Sequence, residues 1–144
     1  MDGIQMVNSA PEARLRVGET EKLTINLGVV DLGQIDLLVQ EGFYSNRTDF
    51  IRTAIRNRLT TYSDQVKSTV ARRTLVLGLQ SFSRADLERA RASGQTVHIQ
   101  VLGLARIADD VSPELARATI ASVEVLGAFH ASAAVRRALA DRIL

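Results

Sequence analysis

Between Glu21 and Leu27 the chain alternates Lys22, Thr24 and Asn26 with Leu23, Ile25 and Leu27. An ammonium, a hydroxyl and a carboxamide in one row offer several hydrogen-bond donors and two acceptors to a surface lying against them. A second group, Ser45-Asn46-Arg47-Thr48, combines short side-chain oxygens with a guanidinium. At a helix start such residues surround unpaired backbone N–H groups and the positive end of the helix dipole, which together attract an anion. Ser45 or Asn46 also suits plain N-capping, and the two uses are compatible because a cap occupies one amide and leaves others. From Arg47 to Arg72 the charges are Arg47, Arg52, Arg56, Arg58, Lys67 and Arg72 against Asp49 and Asp64. A run of this kind is either a solvated helix face or part of a surface for a polyanion.

Catalytic chemistry finds little support. His98 and His130 are the only histidines. They lie in different segments, with no carboxylate at ligand spacing. With no cysteine in the chain, disulfides and thiolate metal sites are excluded. There is no nucleophile elbow, P-loop or dinucleotide fingerprint. The paired Asp109 and Asp110 fit the end of a strand ahead of the Ser112-Pro113 helix start better than an acid pair. The expectation is a protein that is not an enzyme and has no catalytic residues, no metal and no cofactor.

Each of these groups needs an element to hold it. Leu23, Ile25 and Leu27 at every second position predict a half-buried strand, stopped by Gly28. Leu32, Ile35, Leu38 and Val39 predict a helix over Val30–Glu41, with Gly42 as its C′ residue. Phe50, Ile51, Ala54, Ile55 and Leu59 form the apolar stripe of a second helix reaching about Val66. From Arg73 onward a different pattern appears: Val76-Leu77-Gly78-Leu79, Val101-Leu102-Gly103-Leu104 and Val125-Leu126-Gly127-Ala128, with glycines 25 and then 24 positions apart. Helix starts follow at Ser83, Ser112 and Ser132. The spacing predicts three strand–turn–helix units, each glycine bending the chain sharply after its strand. The period falls within the roughly 20–29 residues of leucine-rich and related solenoid repeats, which stack into one core. The resemblance is loose, because the asparagine or cysteine ladder of those repeats is missing.

The 46% hydrophobic residues describe a globular chain, and a net charge of +2 alone gives little support for a nucleic-acid partner. No apolar run approaches the roughly 18 residues that cross a bilayer. Met1–Pro11 has neither a basic n-region nor an apolar h-region, so no signal peptide and no membrane partner are expected.

One strand and two helices cannot bury their apolar residues alone, whereas two antiparallel copies of the strand covered by four helices can. The ribbon Lys22–Leu27, together with Gly42-Phe43-Tyr44-Ser45-Asn46-Arg47-Thr48-Asp49-Phe50-Ile51-Arg52, resembles the ribbon-helix-helix domain of the CopG and Arc repressor type. The resemblance spans about residues 21–62. It implies an α+β fold: an N-terminal ribbon-helix-helix module, swapped in a homodimer, plus a small C-terminal α/β solenoid-like domain of three units. The expected divisions are a flexible arm over 1–20, the module over 21–66 and an oligomerisation domain over 73–144.

The implied partner is double-stranded DNA. A two-stranded ribbon fits the major groove, where Lys22, Thr24 and Asn26 meet base edges. Ser45, Asn46, Arg47 and Thr48 meet phosphate. Leu23, Ile25, Leu27, Ile51 and Ile55 form the dimer core. The leading expectation is a transcriptional regulator, specifically a repressor, in the cytoplasm on the nucleoid. It acts as a homodimer, with tetramers or longer assemblies through the repeats. Alternatives are the antitoxin of a toxin–antitoxin pair, with a toxin as partner, a nucleoid or plasmid-segregation protein that coats DNA, and a protein-interaction scaffold. The folded, repetitive C-terminal half counts against an antitoxin.

Overall fold

The computed structural model describes residues 19–144. Most of the expected arm, residues 1–18, lies outside the described residues. The chain divides into two compact units, Lys22–Thr69 and Val70–Leu144 with Glu19–Glu21.

The first unit is helical. Helix α1 covers Val29–Gln40. It closes in a Schellman arrangement at Gly42, whose φ of 87° only glycine adopts easily: the Gly42 amide donates to the Val39 carbonyl and the Phe43 amide to the Leu38 carbonyl. Helix α2 covers Arg47–Thr61. It stops short of the predicted Val66, and a separate helix α3 runs over Ser63–Arg72. The residues at the junction give the reason. Thr60 and Thr61 turn their hydroxyls back onto the carbonyls of Arg56 and Asn57, at 2.9 and 3.2 Å, a pattern that bends helices.

The predicted strand over Glu21–Leu27 pairs with nothing among the described residues, and the chain runs without regular structure to Gly28. Its leucines and isoleucine lie open: Leu23 is 80% exposed, Ile25 56% and Leu27 41%. Ile55 is likewise exposed and Ile51 only partly buried, so Ile35 is the one buried residue of Lys22–Thr69. A strand forms only where another supplies hydrogen bonds, and the described residues offer this segment none.

The second unit is a two-layer α/β structure. Strands β1 (Val76–Phe82), β2 (Val97–Ile107) and β3 (Ile120–His130) form a parallel sheet in the order β1-β2-β3. Helix α4 (Arg84–Ala92) links β1 to β2, helix α5 (Pro113–Thr119) links β2 to β3, and α6 (Ala133–Ala138) follows β3. Parallel strands require such crossovers. Ser83, Ser112 and Ser132 cap the three helices, each hydroxyl accepting from the amide three residues on. The helices lie side by side on one face of the sheet, where Leu87, Leu115 and Val135 meet Ile99, Val101, Ile107, Ile120 and Val123 in a dry core. Burying each such side chain stabilises the fold by about 1.5–3 kcal/mol. Thr119, buried among them, satisfies its hydroxyl on the Leu115 carbonyl at 2.8 Å.

The glycines do not bend the chain after each strand, as the spacing predicts. They lie inside the strands, in register with one another: Gly78 opposite Gly103, and Gly103 opposite Gly127. Their φ angles are 122°, 139° and 124°. A β-carbon on Gly103 would overlap the Gly78 carbonyl, and one on Gly127 would overlap that of Gly103. Glycine is needed here because each strand nests its backbone into the next.

The other sheet face carries Leu77, Leu102 and Leu126 in one row and Leu79, Leu104 and Ala128 in the next. Glu19–Glu21 crosses near the second row and borders a cleft of about 400 Å³ with Leu79, Leu104, Ala128 and the three glycines. Glu19 is held by Arg106 at 2.7 Å, so this end of the expected arm is fixed.

Candidate nucleic-acid interface

Lys22, Thr24 and Asn26 are exposed, in a segment whose intervening apolar residues are also open. Glu21, which precedes Lys22 in the chain, meets the His130 imidazole at 2.7 Å. No carboxylate stands near His130 in sequence. The fold supplies one 109 positions away, a distance along the chain that no spacing rule reaches. His98 faces a neighbouring strand, its Nδ1 lying 3.0 Å from the Ser122 hydroxyl. Among the described residues no group of three or more His, Asp or Glu side chains is arranged to hold a metal ion.

The start of α2 is built by a reciprocal cap. Asn46 Oδ1 accepts from the Asp49 amide at 2.8 Å, and Asp49 Oδ2 accepts from the Ser45 amide at 2.9 Å. Arg47 and Thr48 are the first helical residues. Their amides precede any intrahelical acceptor and remain available to an anion. Tyr44 and Phe50 meet edge to face across the turn, with ring centroids 5.0 Å apart, and steady it.

Arg47 is committed elsewhere in the free chain. Its Nε and Nη2 bond the two carboxylate oxygens of Asp36 on α1, at 2.7 and 2.9 Å. That hydrogen bond, and the charge behind it, hold the Asp36 carboxyl below its usual range and the Arg47 guanidinium above. The pair joins the two helices across the turn. Asp36 carries no motif that marks it in the sequence; the available signal is that Asp36 and Arg47 flank the Gly42 turn that folds one helix back on the other.

The cationic side chains of α2 and α3, including Arg52, Arg56, Arg58 and Lys67, are exposed. Arg58 lies over the Tyr62 ring, 5.4 Å from its centroid. The apolar residues Ile55, Leu59, Tyr62 and Val66 are also exposed, spaced as one stripe along these helices.

An exposed alternating segment, two helices about a glycine turn and an anion-ready helix start are features of a helical nucleic-acid-binding module. A profile of the ribbon-helix-helix transcriptional regulator family matches residues 18–136, and the chain belongs to that family. The match continues past the module and through the whole parallel sheet. Neither a curated protein nor a solved structure matches the chain. Membership carries a DNA-binding, transcription-regulating role. No helix among the described residues is long and apolar enough to cross a membrane.

Proposed function

We propose that this regulator is a homodimeric repressor that reads double-stranded DNA with an antiparallel ribbon made from residues 21–27 of two copies. One observation carries the reading. Lys22–Thr69 buries a single residue, Ile35, while Leu23, Ile25, Leu27 and Ile55 stay exposed. A unit so poor in core needs a second copy to shield it from water. Pairing two ribbons places Leu23, Ile25 and Leu27 against the helices, with Ile51 and Ile55. Lys22, Thr24 and Asn26 then face outward, toward base edges in the major groove.

In this arrangement Ser45, Asn46 and Thr48, with the first amides of α2, seat a phosphate at each end of the ribbon. Arg47 contributes through its grip on Asp36, which fixes the turn, and through its positive charge. Because the ribbon has two-fold symmetry, the operator is a palindrome or a pair of inverted half-sites. Nuclease footprinting on genomic fragments tests the reading: it predicts short protected sites with inverted symmetry, occupied by an even number of chains. Protection without sequence preference, or binding by a single chain, contradicts it.

A further inference from the structure

The parallel sheet has two ends, and they are complementary. At each internal step the carbonyl of one strand's glycine fills the space where the next strand's glycine lacks a β-carbon. Gly78, on the outer strand β1, has the same conformation, with φ 122°, but among the described residues nothing lies within 4 Å of its missing β-carbon. The β1 end therefore presents an empty notch. At the other end Gly127 presents the matching carbonyl, since among the described residues β3 pairs with β2 and, beyond it, only through Val123 with Ile143.

The C-terminal tail covers part of the β3 edge. Ile143 bridges Val123 in parallel, and the Leu144 amide donates to the Val123 carbonyl at 2.8 Å. Among the described residues Val125–Ala128 pairs with nothing on that side, while the Phe129 carbonyl accepts from Arg136. That open stretch lies within the part of β3 aligned, through β2, with β1. Val76 pairs with Val101 and Val101 with Val125; Gly78 pairs with Gly103 and Gly103 with Gly127; Ser81 pairs with Arg106 and Arg106 with His130. Leu77 and Leu126, the end members of the leucine row, are 65% and 45% exposed.

We propose that β1 of a second copy adds to β3 as a fourth parallel strand, Val76 beside Val125, Gly78 beside Gly127 and Ser81 beside His130. Two features of the chain name this occupant: a notch that takes a glycine carbonyl and an open edge in the register of β1. Leu77 of the added strand extends the row Leu126, Leu102, Leu77. The contact joins unlike surfaces, so each chain added head to tail leaves a free end for the next and the contact propagates from chain to chain. This interface is separate from the ribbon of the proposed dimer. A chain using both would line successive dimers along a duplex.

Analytical ultracentrifugation of the full chain over a wide concentration range tests the proposal, with Leu77→Lys and Leu126→Glu as variants. Both side chains are largely exposed, and circular dichroism melts confirm that each variant folds. The wild-type chain should grow in mass with concentration. Each variant alone should stop at one fixed small species, because one of its two ends is spoiled. Mixing the two should restore growth, since the lysine introduced in one copy meets the glutamate introduced in the other while the remaining ends stay native. Binding to a single short DNA site should be unchanged in both, which separates this interface from the ribbon. A wild-type mass independent of concentration, or folded variants that assemble as the wild type does, overturns the proposal. So does growth seen only after deletion of residues 1–18, which would assign the β1 edge to the chain's own N-terminal segment.

Discussion

At the residue scale, the proposed reading divides the chemistry between side chains that distinguish one sequence from another and side chains that hold the reader in place. In that reading Thr24 and Asn26 belong to the first set. A carboxamide that bonds an adenine edge contributes about 1–3 kcal/mol of discrimination, so Thr24→Ala or Asn26→Ala should lose that much at the cognate site and little elsewhere. Arg47 belongs to the second set: Arg47→Ala should weaken binding to all duplexes alike and reduce its salt dependence, as titrations at several salt concentrations would show. The Asp36–Arg47 pair adds a pH dependence. Its hydrogen bond and charge lower the Asp36 pKa in the folded chain. The link between α1 and α2 is therefore intact above the ordinary Asp pKa and is lost as pH falls through the lowered folded value. Comparing Asp36→Asn with the wild type should show the wild-type advantage in thermal melting shrinking at strongly acid pH. Both groups are exposed, so the effect is small.

At the element scale, local signals in the sequence carry far. The turn at Gly42, the cap at Asn46 and the serine caps of α4, α5 and α6 all follow from residues within five positions of each other. Replacing Ser83, which shares a complete capping box with Asp86, by Ala should cost about 0.5–2 kcal/mol in denaturant unfolding. What is not legible depends on distant or absent partners. The position of the glycines inside the strands follows from the neighbouring strand's carbonyl, a contact between residues 24 or 25 positions apart. Glu21–His130 and Arg106–Glu19 are tertiary contacts of the same kind. The alternating pattern of Lys22–Leu27 is legible, but the described residues show no strand there, because the proposed partner is a second copy. The bend between α2 and α3 is open to view in Thr60 and Thr61, whose back-bonding competes with a straight helix.

At the scale of the whole molecule, the two units differ in what they need. Val70–Leu144 has its own dry core, and Ile99→Ala there should cost about 2–5 kcal/mol without touching DNA contacts. Lys22–Thr69 has almost no core, so Ile25→Asp should abolish dimerisation and with it the fold of that unit, leaving the parallel sheet intact. Sedimentation and hydrogen exchange of the same variant would separate the two outcomes. The central claim is that the ribbon of two paired chains reads DNA sequence. The most direct test is the ratio of affinities for a cognate palindromic duplex and a scrambled duplex of equal length, measured for the wild type and for Asn26→Ala at one salt concentration. The account predicts that the ratio falls by about 5- to 150-fold in the variant, corresponding to about 1–3 kcal/mol, while scrambled-duplex affinity stays close to that of the wild type. An unchanged ratio in a folded, dimeric Asn26→Ala protein would contradict it.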